Sequence, residues 1–137
     1  MKRVVALDIG SVRIGVAVSD PLGLFAQGLT VLNAEKDWLA ELEKILSQYD
    51  EPMILVGLPL RTDGSEGPEA QHIREIAEKI KERFSGLALE FWDERFTTTI
   101  AQQTLLQGDV SRAGRKKSVD KIAATLLLES YLESKKR

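Results

Sequence analysis

The chain has 137 residues, enough for one compact domain with a real core and too few for two. Hydrophobic residues make up 43% and charged residues 29%, and the net charge of −2 carries no global signature of nucleic-acid binding. The absence of cysteine excludes disulfides, thiol chemistry and thiolate-bound zinc, and the single histidine, His72, leaves little for histidine-held metals or a Ser-His-Asp triad.

No apolar run approaches the length of a membrane span, and the N-terminal residues lead straight into a strand with no signal peptide, so a cytoplasmic protein is expected. Three strands are predicted first, near residues 3–9, 14–19 and 26–32. A helix follows over 37–48, with Trp38, Leu39, Leu42, Ile45 and Leu46 at helical spacing on one face. Pro52 opens a strand over 53–57 that is apolar on both parities, as expected of a strand covered on both faces. The loop 58–67 contains Pro59, Gly64 and Gly67, and Pro68 then stands at a favoured helix-starting position. That helix is predicted to bury Ile73, Ile76, Ala77, Ile80 and Phe84. A fifth strand, 87–92, leads into Asp93-Glu94-Arg95. Thr97 is predicted to cap a helix through Leu106, and Ser118 to cap the last helix, 119–134.

The order βββαβαβαα, with no repeat or linker, predicts a single α/β domain over residues 1–137. Its five-stranded mixed sheet has antiparallel strands first and parallel crossovers afterwards, with helices on its faces. Ligands of such sheets gather outside the carboxyl ends of the strands. Asp8 and Glu94 both fall at carboxyl ends, and Asp120 is expected in the first turn of the last helix.

A carboxylate beside a core is costly unless its charge is compensated. Three carboxylates at element ends make a site for a hard divalent cation if the fold brings those ends together. Asp8 also suits an Asx-type turn with Gly10 or Ser11, and Asp120 suits the helix dipole. Gly10 and Gly15 leave room for close approach by a ligand at Asp8. Asp93 adjoins Glu94, and alternation sends the two side chains to opposite faces, so one of them is expected at the site.

Leu7-Asp8-Ile9-Gly10 with Gly15 to Asp20, Val56-Gly57-Leu58-Pro59-Leu60 with Asp63-Gly64, Asp93 to Thr98, and Lys117 to Ala124 together resemble the YqgF/RuvX family, in the right order over nearly the whole chain. The resemblance implies a ribonuclease H-like fold, kinship with Holliday-junction resolvases, and nuclease processing of the 5′ end of precursor 16S ribosomal RNA. It also implies that Asp8, Glu94 and Asp120 form the acidic site and hold Mg2+ or Mn2+. Hydrolysis of a phosphodiester needs an activated water, charge stabilisation and help for the leaving oxygen, which two cations about 3.5–4 Å apart supply without a histidine or cysteine. One departure stands out. Resolvases of the broader superfamily take an acid from the end of the fourth strand, whereas here that strand ends Gly57-Leu58-Pro59. Glu94 would replace it from the neighbouring strand, about 4.8 Å away.

Arg61, Arg95, Arg112, Arg115, Lys116 and Lys117 are the candidate substrate-binding cations, with 112–117 expected as a flexible phosphate clamp. His72 is expected at the surface, Trp38 and Trp92 are expected to pack rather than stack on bases, and Asp20 before Pro21 is expected to be a turn residue. The expected partner is nucleic acid, precursor 16S rRNA ahead of DNA junctions, with ribosomal particles a further candidate and no membrane. Three rival readings are a sugar-kinase or actin-like nucleotide-binding protein, a DNA-junction resolvase, and a non-catalytic RNA-binding assembly factor. The first of these normally uses two such domains, and 137 residues hold one.

Overall fold

The structure, a computed structural model, describes residues 2–96 and 112–136, and the side chains of 2–95 and 121–136. Its strands are β1 (Val4–Ile9), β2 (Arg13–Ser19), β3 (Ala26–Asn33), β4 (Met53–Leu58) and β5 (Leu89–Asp93), and its helices are α1 (Trp38–Leu46), α2 (Pro68–Arg83) and α3 (Arg112–Lys135). The sheet order is β3-β2-β1-β4-β5. The first three strands pair antiparallel, and β1–β4 and β4–β5 pair parallel, as the sequence order predicts. All the parallel strands therefore end at one edge of the sheet, where β2 begins.

Alternation divides the sheet into two faces. Val5, Leu7, Ile14, Val16, Ile54 and Val56 face α1 and α2, which contribute Leu42, Leu46, Ala70, Ile73 and Ile80. Val4, Ala6, Ala17 and Leu55 face α3, which contributes Ala124, Leu127, Leu128, Tyr131 and Leu132. The apolar run of β4 is thus covered on both sides. The α3 face is made of small residues over much of its area, and Gly28 is crossed directly by the side chains of Lys121 and Thr125. A Cβ at Gly28 would stand 2.9 Å from Lys121 Cγ and from Thr125 Oγ1, so the missing side chain is what admits the helix there. Farther along α3, Trp92 Nε1 donates to Ser130 Oγ (3.1 Å) and the Tyr131 hydroxyl donates to Glu90 (2.9 Å). The Trp92 and Tyr131 rings meet edge to face at 5.4 Å. Both tryptophans pack, Trp38 against the opposite core, and His72 is exposed.

Asp20 is a turn residue, its Oδ1 accepting from the backbone N–H of Leu24 and Phe25. Asp37 caps α1 by accepting from Ala40 N, and Pro68 opens α2. The last helix corrects one expectation. It begins at Arg112, so residues 112–117 are its first turns and not a loop, Ser118 lies inside it and caps nothing, and Asp120 falls in its third turn. Ala113 and the Arg and Lys residues there are good helix formers that outweigh Gly114, and no proline interrupts them. The helix predicted over 97–106 lies outside the described residues.

Leu128 is fully buried between α3 and the sheet. Leu128→Ala is expected to lower unfolding stability by about 2–5 kcal/mol in urea titration. A loss below about 1 kcal/mol would show that α3 is not docked through this side chain.

Candidate active site

Asp8 is the fifth residue of β1 and, by alternation with Val4 and Ala6, faces the α3 side. It pairs with Gly15 on β2. On its other flank the parallel register sets Leu7 opposite Val56, which brings Gly57 alongside. Asp8 therefore stands between two residues without side chains, at the strand-end edge of the sheet. The bare backbone on each side gives its carboxylate space that a strand interior normally fills.

Glu94 uses that space. It begins a 3-10 turn directly after β5. A Cβ built on Gly57 would collide with the Glu94 carboxylate and lie 2.9 Å from its Cγ and Cδ. The side chain thus crosses β4 over Gly57 and reaches Asp8, to which its carboxyl donates a hydrogen bond. Burial pushes the Glu94 carboxyl up to about 9, helped by the hydrogen bond to Asp8 and by the negative charges of Asp8, Asp93 and Glu69. Glu94 therefore keeps its proton at neutral pH. Where an acid might stand at the end of β4 the chain has Gly57, and the side chain that lies over it is Glu94 from the end of β5.

Asp93 points the other way. Its Oδ1 accepts from Arg95 N (2.9 Å) and its Oδ2 from the Arg95 side chain (2.7 Å). This pairing, opposed by partial burial, holds the Asp93 carboxyl below the usual range. Arg95 also reaches the carbonyl of Thr62 (3.3 Å) and is attracted to Asp63, so it braces the 61–65 loop against β5. Arg61 is exposed, its guanidinium lying over Gly67 at the start of α2. Arg112, Arg115, Lys116 and Lys117 occupy the first turns of α3, and their side chains lie outside the described ones. The same holds for Asp120, whose backbone sits one turn before the buried Ala124.

Among the described residues no group of three metal-ligating side chains is present. The Asp8–Glu94 pair nevertheless fits a hard cation chemically. It presents carboxylate oxygens only, and a divalent cation would answer both charges, of which a proton now answers one. Sequence reasoning missed Gly57 as the opening that admits Glu94, and Glu69 as a further charge acting on it. The available signal was the glycine at the end of an otherwise branched, apolar strand.

Because the folded protein keeps the Glu94 proton to about pH 9 while the unfolded chain releases it near 4.5, the metal-free protein binds more protons folded than unfolded across that window. Its stability is expected to fall as pH rises from about 4.5 to about 9. Thermal melts in chelator should show this slope in wild type and a flatter one in Glu94→Gln; equal slopes would mean Glu94 is not the group responsible. Gly57→Ala should push the Glu94 side chain aside from its Cγ outward, separating Glu94 from Asp8 with no clash against backbone. Its melts should flatten with pH as those of Glu94→Gln do, and an unchanged slope would show that Glu94 does not depend on the opening at Gly57.

The family described as "RuvX: Holliday junction resolvase" matches residues 2–134. A Clostridium perfringens protein named "Putative pre-16S rRNA nuclease" is 47% identical over 134 residues, 96% of each chain. Proteins of the same name from Clostridium beijerinckii (46%; 96% of each chain) and Clostridium botulinum (42%; 96% of this chain and 97% of that one) are likewise similar. Among solved structures, the Fowlpox virus resolvase in complex with Holliday junction DNA superposes with a TM-score of 0.62 at 17% identity, covering 98% of this chain and 99% of that one. The Thermus thermophilus RuvC in complex with a Holliday junction substrate gives 0.60 at 13%, covering 99% and 96%. The fold is therefore ribonuclease H-like, of the resolvase type. With a family match over residues 2–134 and relatives 42–47% identical over nearly its whole length, the chain belongs to the RuvX family.

Proposed function

We propose that this single domain is a metal-dependent nuclease that hydrolyses phosphodiester bonds of structured RNA, acting in the cytoplasm on the 5′ end of precursor 16S rRNA. The observation that carries the reading is the Asp8–Glu94 pair, two carboxyl groups brought together at the strand-end edge of the sheet. The name of the relatives supports the RNA substrate, and the absence of cysteine and near-absence of histidine leave carboxylate-held metal as the chemistry available.

Asp8, Glu94 and Asp120 are assigned to the cation, Mg2+ or Mn2+. When bound, such an ion activates water and neutralises charge on the phosphoryl oxygens and the leaving group. Within the chain, Asp8 would supply one carboxylate, fixed by β1, and Glu94 would supply a second after giving its proton to solvent. Asp120 would approach from α3, whose docking is set by Ala124, Leu127 and Leu128. Arg112, Arg115, Lys116 and Lys117 would hold backbone phosphates along the same helix. Arg61 would do so at the start of α2. Arg95, committed to Asp93 and Thr62, would act by holding the 61–65 loop beside the site.

The test is cleavage of a labelled precursor 16S 5′-end RNA, beside a four-way DNA junction, in Mn2+, Mg2+ or chelator. Wild type should cut the RNA only with a divalent ion, and Asp8→Asn and Glu94→Gln should each lose about a thousandfold in rate, the worth of several kcal/mol of charge stabilisation. Preferential cutting of the junction would transfer the assignment to a DNA resolvase. RNA binding with no cutting under any condition would make the protein an assembly factor.

A further inference from the structure

An open cleft of about 590 Å³ lies along the free edge of β3, where β2 begins and α3 crosses. Arg13 and Lys121 face it, with Thr30 and Asn33 as polar neighbours and Val12 and Val31 in its apolar wall. No carboxylate is among its described lining residues. The acidic pair is close by. Arg13 is two residues from Gly15, the partner of Asp8, and lies on the same face of β2 by alternation, about 7 Å along the strand.

Two features of these cations lack an explanation within the fold. Arg13 Nη1 is buried and, among the described residues, has no acceptor. A buried donor of a charged group left unpaired is expensive, so such groups are normally matched. Lys121 is held in place by packing: its stem lies across Gly28, where a Cβ would stand 2.9 Å from Cγ and 3.0 Å from Cε. No carboxylate within 4.0 Å pairs with either cation among the described residues.

We propose that this cleft is a phosphate-binding subsite, in which Arg13 and Lys121 hold a backbone phosphate of the nucleic-acid strand flanking the one at Asp8. It rests on the nucleic-acid reading above and adds to it a direction, because the strand would run from the carboxylate pair across β2 toward the β3 edge. Arg13 presents a planar fork suited to two phosphate oxygens, and Lys121 a point charge on the other side. The apolar wall offers a surface for the sugar of the same nucleotide.

The experiment is binding of a fluorescein-labelled RNA hairpin with a single-stranded 5′ extension, followed by anisotropy in chelator from 50 to 300 mM salt. Wild type, Arg13→Gln, Lys121→Met and the control Lys44→Met are compared, with melts to confirm folding. Each subsite variant should weaken binding about tenfold and reduce the slope of log K against log salt by about 1. Lys44→Met, on exposed α1, should change neither. Unchanged affinity and slope in Lys121→Met, or an equal loss in Lys44→Met, would overturn the subsite. Lys121 is exposed, so its variant decides the matter even if Arg13→Gln fails to fold. Wild type that binds this RNA through Arg13 and Lys121 yet never cuts would leave the subsite standing and remove the nuclease reading. Wild type that cuts RNA with Lys121→Met binding unchanged would remove the subsite alone.

Discussion

Two carboxyl groups meet across a residue that has no side chain, and the site depends on that arrangement. Glu94 reaches Asp8 only because β4 carries Gly57 as its penultimate residue, and Asp8 can meet it because β2 places Gly15 on its other flank. The cost of burying a second negative charge is avoided by keeping Glu94 protonated, well above its ordinary range. Such a pair is poorly suited to a purely structural role, since a neutral amide would give the hydrogen bond without the tendency to ionise. It is well suited to a divalent cation, which removes the proton and the repulsion together.

The neighbouring acid shows how closely the pair is selected. Asp93 and Glu94 are consecutive, yet one closes an ion pair with Arg95 on the far side of the strand end while the other enters the site. Arg95 therefore does two things at once. It takes Asp93 out of contention and ties the 61–65 loop to β5 through Thr62, fixing the wall beside the carboxylates.

The α3 face is the second constraint. Small residues on β1 and β2 and the bare Gly28 on β3 let the helix lie close against the sheet, and Trp92, Tyr131, Ser130 and Glu90 lock its lower half. The N-terminal turns are thereby delivered to the strand-end edge, carrying Asp120 and the run of cations from Arg112 onward. The chain's net charge of −2 thus includes a run of cations whose backbone lies in the first turns of this helix.

Much of this was legible in the chain itself. Alternation and turn residues determined the strand order of the opening meander, the doubly covered β4, the Pro68 helix start and the family to which the four motifs belong. Asp8 was conspicuous because a carboxylate at the end of a branched, apolar strand has to be compensated. Those are local properties, decided by neighbours two to four residues apart. What only the tertiary structure decided was which side chains meet. Alternation said that Asp93 and Glu94 part, but the 3-10 turn after β5 and the pairing with Arg95 chose Glu94. The gap at Gly57 has meaning only once β4 lies between β1 and β5, and Arg13 and Lys121 share a cleft only once α3 crosses Gly28. The start of α3 at Arg112 is not legible in the sequence because a basic run reads as a loop by charge and as a helix by propensity. Convergence depends on sheet order and register, which every strand and helix sets jointly, and no window of the sequence contains it.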